Sequence, residues 1–370
     1  MSCSDQAEKE GNLLDRRRIL LLIFVALVVV SAGDIYINNL SIFESFAQGF
    51  SFEVYDAEPQ LSVERRATRD AADIESLFMD LQSGMIVVSG DAADQITVTA
   101  VVDIFADDEE AAEAFASGLH IKLDAKDGSV VPQLIEGERR GIRRVNVRWH
   151  VQVPQHLAVA IVNRFGTTLV EGVAGPVELR GSGMMEVENV AGPLTVDSSL
   201  GTVKVVGVLG DVFVKNSVGK LEVAHINGDV ELVSATADST IRDVGGRVTA
   251  EVSLGSVLLE RVAGDVRVRS GTGSVIVRDV HSRIDVHAEI GNVLVSPGAA
   301  APIDVTVAQG DLSLTIPREL LPAYRFDLHA DEIIAFEQIE SLRAEQGEAL
   351  DAHLVKATVR RGEIAVLATN

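Results

Sequence analysis

Three carboxylates that each directly follow a glycine are the first hint of chemistry in this chain: Gly210-Asp211, Gly228-Asp229 and Gly264-Asp265. Regularly spaced aspartates suggest calcium, but the nonapeptide calcium repeat requires G-G-x-G-x-D, which the sequence never shows. An aspartate in a turn more often bonds to its own backbone. His150 and His156 lie six apart, as do His281 and His287. Neither pair has metal-ligand spacing, so solvent-facing imidazoles are expected. Gly181-Ser182-Gly183 and Gly271-Thr272-Gly273 lack the lysine-serine ending of a phosphate loop. No serine or cysteine stands in a nucleophile motif. No catalytic residue, metal or cofactor is therefore assigned.

The elements that carry these residues repeat. Glycine returns at 166, 175, 183, 192, 201, 210, 219 and 228, then at 246, 255, 264, 273 and 291, with Ala237 and Ser282 in the missing places. All intervals are nine residues except that from Gly175 to Gly183, which is eight. After each glycine position runs x-V-x-V, as in Gly201-Thr202-Val203-Lys204-Val205. Apolar alternation at period two gives a strand with one buried face, and the glycine permits a tight corner. Arms of two kinds alternate. In one kind the last apolar residue directly precedes the next glycine position (Phe165, Leu200, Val218, Leu254, Ile290); in the other it sits two before. The true period is about eighteen residues, and a stack of such units buries what one unit cannot. The expected fold is an all-β, single-stranded parallel β-solenoid preceded by an α+β capping region. Antiparallel hairpins in a sandwich or barrel are the alternative.

In the solenoid the third residue after each glycine faces outward. One row then reads Glu178, Thr195, Phe213, Glu231, Thr249, Arg267, Asp285, and the other Leu169, Glu186, Lys204, Glu222, Thr240, Leu258, Ile276, Leu294. Solenoid lyases and hydrolases need convergent carboxylates, and within these rows acids never fall on consecutive coils. Leu258, Ile276 and Leu294 form an aliphatic stripe that wants a cover, either the segment around 333–342 or a partner. Arg139, Arg140, Arg143 and Arg144 form the main basic cluster, a candidate grip for anionic lipid or glycan beside the simpler reading of a solvated loop.

The 370 residues carry a formal charge of -23 and 47% hydrophobic content. That charge argues against nucleic acid, whose backbone needs clustered Lys and Arg. Residues 1–18 are a polar, basic lead. Residues 19–33 contain the apolar run ILLLIFVALVVVSA behind Arg16, Arg17 and Arg18. This is a single-pass anchor or a signal h-region with a cleavage site near Ala32, and either places the remainder outside the cytoplasm. Cys3 is the only cysteine, so no intrachain disulfide forms.

Residues 34–50 form a linker, 51–157 a strand-helix capping region, 158–330 the repeats, and 331–370 a cover segment with closing strands. Within the cap, Ser51–Tyr55 and Leu61–Val63 are expected strands. A helix is expected over Asp70–Leu81, with Ile74, Leu77, Phe78 and Leu81 on one face. A second is expected over Asp107–Ser117, burying Ala111, Ala114 and Phe115. Trp149 belongs to the core of a long strand ending at Pro154. A third helix is expected over Asp331–Gln346, its stripe Ile333, Phe336, Ile339 and Leu342.

Val151-Gln152-Val153-Pro154, Asn163-Arg164-Phe165-Gly166 and the Gly210-Asp211-Val212-Phe213-Val214 type of unit resemble the DUF4097 family over about residues 50–367. The resemblance implies an adhesin-like β-solenoid of the bacterial cell envelope and supplies no catalytic motif. The expected function is a noncatalytic surface for envelope protein or glycan. The alternative is a carbohydrate-active β-helix enzyme.

Overall fold

In the computed structural model, residues 58–335 and 352–369 are described. They fall almost wholly within one compact unit, Pro59–Asn370. Twenty-four strands and one α-helix are found among them, and the strand ladders are mostly parallel.

The first strands are β1 (Leu61–Asp70), β2 (Ser76–Leu81), β3 (Gly84–Asp91) and β4 (Gln95–Ala106). The helix α1 (Glu109–Gly118) is followed by β5 (His120–Lys126), β6 (Ser129–Ile135) and β7 (Ile142–Pro154). β1, β4 and β7 pair antiparallel, as do β5 and β6, whereas β3 runs parallel to β7. The helix expected over 70–81 does not form. β1 reaches Asp70, and β2 pairs in parallel with residues 158–163. Leu77 and Met79 are buried while Phe78 and Asp80, which alternate with them, are exposed, so period two wins over the helical spacing. The expectation for 107–117 holds: α1 is capped by Asp108, whose carboxylate accepts from the Ala111 N–H at 2.8 Å. Phe115 is buried as expected, together with Ala112 and Ala116, whereas Ala111 is half-buried and Ala114 exposed. Trp149 is 4% exposed and belongs to the core.

The repeated segment follows. β8 (Ala158–Glu171), β9 (Val177–Val190), β10 (Leu194–Val208), β11 (Val212–Ile226) and β12 (Val230–Val244) each turn a corner at a glycine or at Ala237, and so hold two arms. Beyond them the arms are separate strands: β13 (Val248–Leu254), β14 (Val257–Val262), β15 (Val266–Thr272), β16 (Val275–Val280), β17 (Ile284–Ile290), β18 (Val293–Pro297), β19 (Ile303–Gln309) and β20 (Leu312–Pro317). Each arm pairs in parallel with the arm one period on, as in Val212↔Val230 and Val257↔Val275. The eighteen-residue spacing read from the glycines is therefore the ladder register, and hairpins do not link these arms. β2 and β3 join the same stack ahead of β8, with Gly84 opposite Gly166.

At the far end the chain leaves its own order. β21 (Tyr324–His329), β22 (Glu332–Ala335), β23 (His353–Val359) and β24 (Glu363–Thr369) form two rungs. The later pair, β23 and β24, lies against β19 and β20, and β21 and β22 stack outside it. The helix expected from Asp331 is thus a strand through Ala335. Its continuation over 336–351 lies outside the described residues, as do the segments 1–18, 19–33 and 34–50 and the strand at Ser51–Tyr55.

The inward positions of the stacked arms are aliphatic: Val203, Val205, Val214, Leu221, Val223 and their counterparts in other rungs are fully buried. One inward row is polar in part. Asn163, Ser198, Asn216, Ser234 and Ser270 are buried there, in line with Val252 and Val307. Neither amide atom of Asn216 has a hydrogen-bond partner, and an unmet buried amide costs about 1–3 kcal/mol. Asn216→Val, matching the residues that hold this place in other rungs, is expected to raise stability by about 1–2 kcal/mol, seen as a higher urea midpoint at unchanged slope.

Candidate interaction surfaces

Backbone pairing aligns both outward rows as counted from the sequence. Leu258, Ile276 and Leu294 lie opposite one another in consecutive rungs and are half-buried. The cover expected from 333–342 is not built as a crossing helix in its described part. Ile334 pairs opposite Ala365, which lies opposite Ser313 and so continues the row beyond Leu294. Residues 332–335 extend the wall because their backbone groups complete a parallel ladder with β24.

The other row contains an adjacency that the nine-residue count missed. Asp285 lies opposite Asp304, so acids do occupy consecutive rungs. The offset there is nineteen residues, because one extra residue enters the corner before Pro302 and ends the regular spacing.

The basic cluster is largely satisfied within the chain. Arg139 forms a forked pair with Glu136 at 2.6 and 2.8 Å, and that hydrogen bond raises its pKa. Arg143 meets Asp107 at 2.6 Å, and the Arg144 guanidinium lies 4.0 Å from the centre of the Phe105 ring. Arg140 is exposed. Three of the four thus have separate partners in Glu136, Asp107 and the Phe105 ring.

The glycine-aspartate carboxylates do not bond to their own turns. Asp211 accepts the N–H of Asp229 at 2.9 Å, and Asp229 accepts that of Arg247 at 2.7 Å. Each staples its rung to the next at a corner where the ladder leaves a donor unmet. Asp265 accepts from the Ser282 hydroxyl at 2.5 Å and also from the Arg283 N–H. His281 lies near Asp279 at 3.7 Å and His287 near Glu289 at 3.2 Å. Among the described residues, no three His, Cys, Asp or Glu side chains gather to hold a metal.

At another corner His225, Asp243, Arg261 and Asp279 lie in line on consecutive rungs, all with φ between 53° and 58°. Arg261 grips Asp243 at 2.6 and 3.0 Å, and this bond holds the Asp243 carboxyl below its ordinary pKa. A depressed carboxylate adds stability above its unfolded pKa of about 3.9 and loses it as pH falls through the folded value. Asp243→Asn is expected to flatten the acid limb of a stability–pH curve below about pH 4, by a small amount because the pair is partly exposed.

One charged depression was not foreseen. Arg247, Asp265, Val266, Arg267, Arg283 and Asp285 line a groove of about 250 Å³. Arg247, Asp265 and Arg283 are the residues just before three successive arms of one wall, and Arg267 and Asp285 stand outward on two of those arms. Asp265 is held below the usual carboxylate range, first by Ser282, with help from the Arg283 N–H and the charges of Arg247 and Arg283. Asp285 meets Arg267 at 3.4 Å. Three guanidinium groups against two carboxylates leave one positive charge over. The signal was present in the sequence: continuing the row Asp211, Asp229 along the chain gives Arg247, Asp265, Arg283.

No family model and no curated protein matches this chain. Solved structures that align with it include a candidate cell adhesion protein from Clostridium sporogenes at 9% identity, covering 84% of this chain and all of that one, with a TM-score of 0.21. A candidate adhesin from Parabacteroides distasonis aligns at 12% identity over 68% of this chain and 97% of its own, with a TM-score of 0.31. A candidate lipid binding protein from the same organism aligns at 10% identity over 82% and 97%, with a TM-score of 0.23. Scores this low leave the function to be read from the surface. Among the described residues, no helix is long and apolar enough to cross a membrane; the segment 19–33 lies outside them.

Proposed function

We propose that this chain is a two-walled parallel β-solenoid, of the kind the DUF4097 resemblance implies, which serves as a noncatalytic binding surface of the bacterial envelope. Residues 19–33 tether it, or direct its export if cleaved near Ala32. Residues 51–157 cap the repeats of 158–330, and 331–370 close them. The observation that carries the reading is the arginine groove: a chain of charge -23 gathers Arg247, Arg267 and Arg283 around one depression. Planar guanidinium forks suit the carboxylate or sulfate of an acidic envelope glycan.

Arg247→Ala with Arg283→Ala, in the full chain, is expected to weaken retention on an acidic glycan array about tenfold or more and leave neutral glycans unaffected. A wild-type chain blank on every glycan overturns the glycan reading. Protease accessibility on intact cells, with sizing of the mature N-terminus, tests the location; a domain protected inside the cytoplasm overturns it.

The enzyme reading rests on Asp265, Asp285 and Asp304. A glycosidase needs one carboxyl protonated as the acid, whereas Asp265 is held ionised and Asp285 is engaged by Arg267. Shortening of an acidic glycan that stops in Asp285→Asn would reverse the choice.

A further inference from the structure

We propose that one corner of the repeat stack is a homotypic interface on which a second copy of this chain docks. The corner carries an exposed aliphatic file. Leu200 is opposite Val218, then come Thr236, Leu254, Thr272 and Ile290, each in register with the next. Leu200, Val218, Leu254 and Ile290 are 45–56% exposed, unlike the half-buried stripe at Leu258. At about 4.8 Å per rung the file runs for about 24 Å. A monomer seldom leaves so ordered an apolar line in water.

The neighbouring files decide the occupant. The residues just before the aliphatic file are Ser199, Ser217, Ala235, Ser253 and Gly271. Just after it runs the file Gly201, Gly219, Ala237, Gly255 and Gly273, whose one side chain is the buried methyl of Ala237. The corner is therefore a ridge beside a trough, uncharged from 199 through 201 and at the matching places up to 271–273, with Glu289 beside Ile290 as the one charge at its last rung. Its rims carry both signs, Lys215 and Glu251 on one side and Lys220 and Asp238 on the other. Two copies with charge -23 repel over most of their surface, so a neutral strip with mixed rims is where they can approach. A two-fold axis lays each ridge into the other's trough, at the same rung spacing, as an isologous contact demands.

Sedimentation of the full chain in detergent, with the micelle mass subtracted, tests this. Wild type is expected to dimerise reversibly, and Leu200→Glu with Leu254→Glu to weaken the dimer at least about tenfold. Both side chains are exposed, so the thermal midpoint is expected to hold. Leu209→Glu, 59% exposed but off the strip, is expected to leave the dimer intact. A wild-type monomer at about 100 μM, a dimer untouched by the paired variant, or equal loss in Leu209→Glu each overturns the proposal. Flotation of wild type but not the paired variant with anionic vesicles, from a monomer, would assign the strip to lipid and overturn it as well.

Discussion

Gly219→Ala is expected to cost about 3–5 kcal/mol, enough to consume much of the stability of a typical domain. Gly219 has φ near 144°, a backbone region that side chains rarely enter, and a Cβ built there overlaps the carbonyl oxygen of Gly201 in the rung before. Neither problem relaxes locally, because the blocking atom is backbone that is itself tied into the ladder. Ala237 supplies the control. It occupies the same file, opposite Gly219, yet is not among the residues of positive φ. Ala237→Gly removes only one methyl group and is expected to cost about 1 kcal/mol. Urea unfolding of both variants measures the contrast; equal losses would mean that the file tolerates side chains and that the corner is not steric in origin.

Removing residues 212–229 together is expected to leave a folded protein, whereas removing Lys215 alone is expected to abolish cooperative folding. The long deletion joins Asp211 to Val230. Leu194 then meets Val230 where it met Val212, with every inward residue still inward. The cost is about one rung's share of a nearest-neighbour stack. The short deletion shifts one arm by a single residue, and period two then turns its apolar side chains to water and its polar ones to the core. Circular dichroism and thermal melting distinguish the two. A long-deletion chain that fails to fold, under conditions where wild type folds, would contradict the additive stack.

The inward and outward positions were legible because they follow from counting nines, and hydrogen bonding preserves that count from Leu194 to Val293. The misreadings have physical causes. Ile74, Leu77, Phe78 and Leu81 satisfy a helical face, but the edge of β8 offers ladder partners and draws Ser76–Leu81 into a strand. Phe165 and Leu200 were visible as the apolar ends of their arms; that they face water depends on the glycine corner beside them, whose φ spacing alone does not reveal. The arginine groove was missed because it joins residues on three rungs from two files, and only the outward file was followed along the sequence. Asp304 was missed where the period stretches by one residue.

The insertion of β23 and β24 between earlier rungs affects biogenesis. Synthesis delivers the polypeptide from its N-terminus, and the stack can grow in that order only as far as Pro317. The strands that must lie against β19 and β20 are the last to emerge, so Tyr324–Ala335 has to wait for a surface that does not yet exist. Completion is thus coupled to arrival of the final residues, and a chain truncated before His353 would present β19 and β20 as open templates for strands of other molecules.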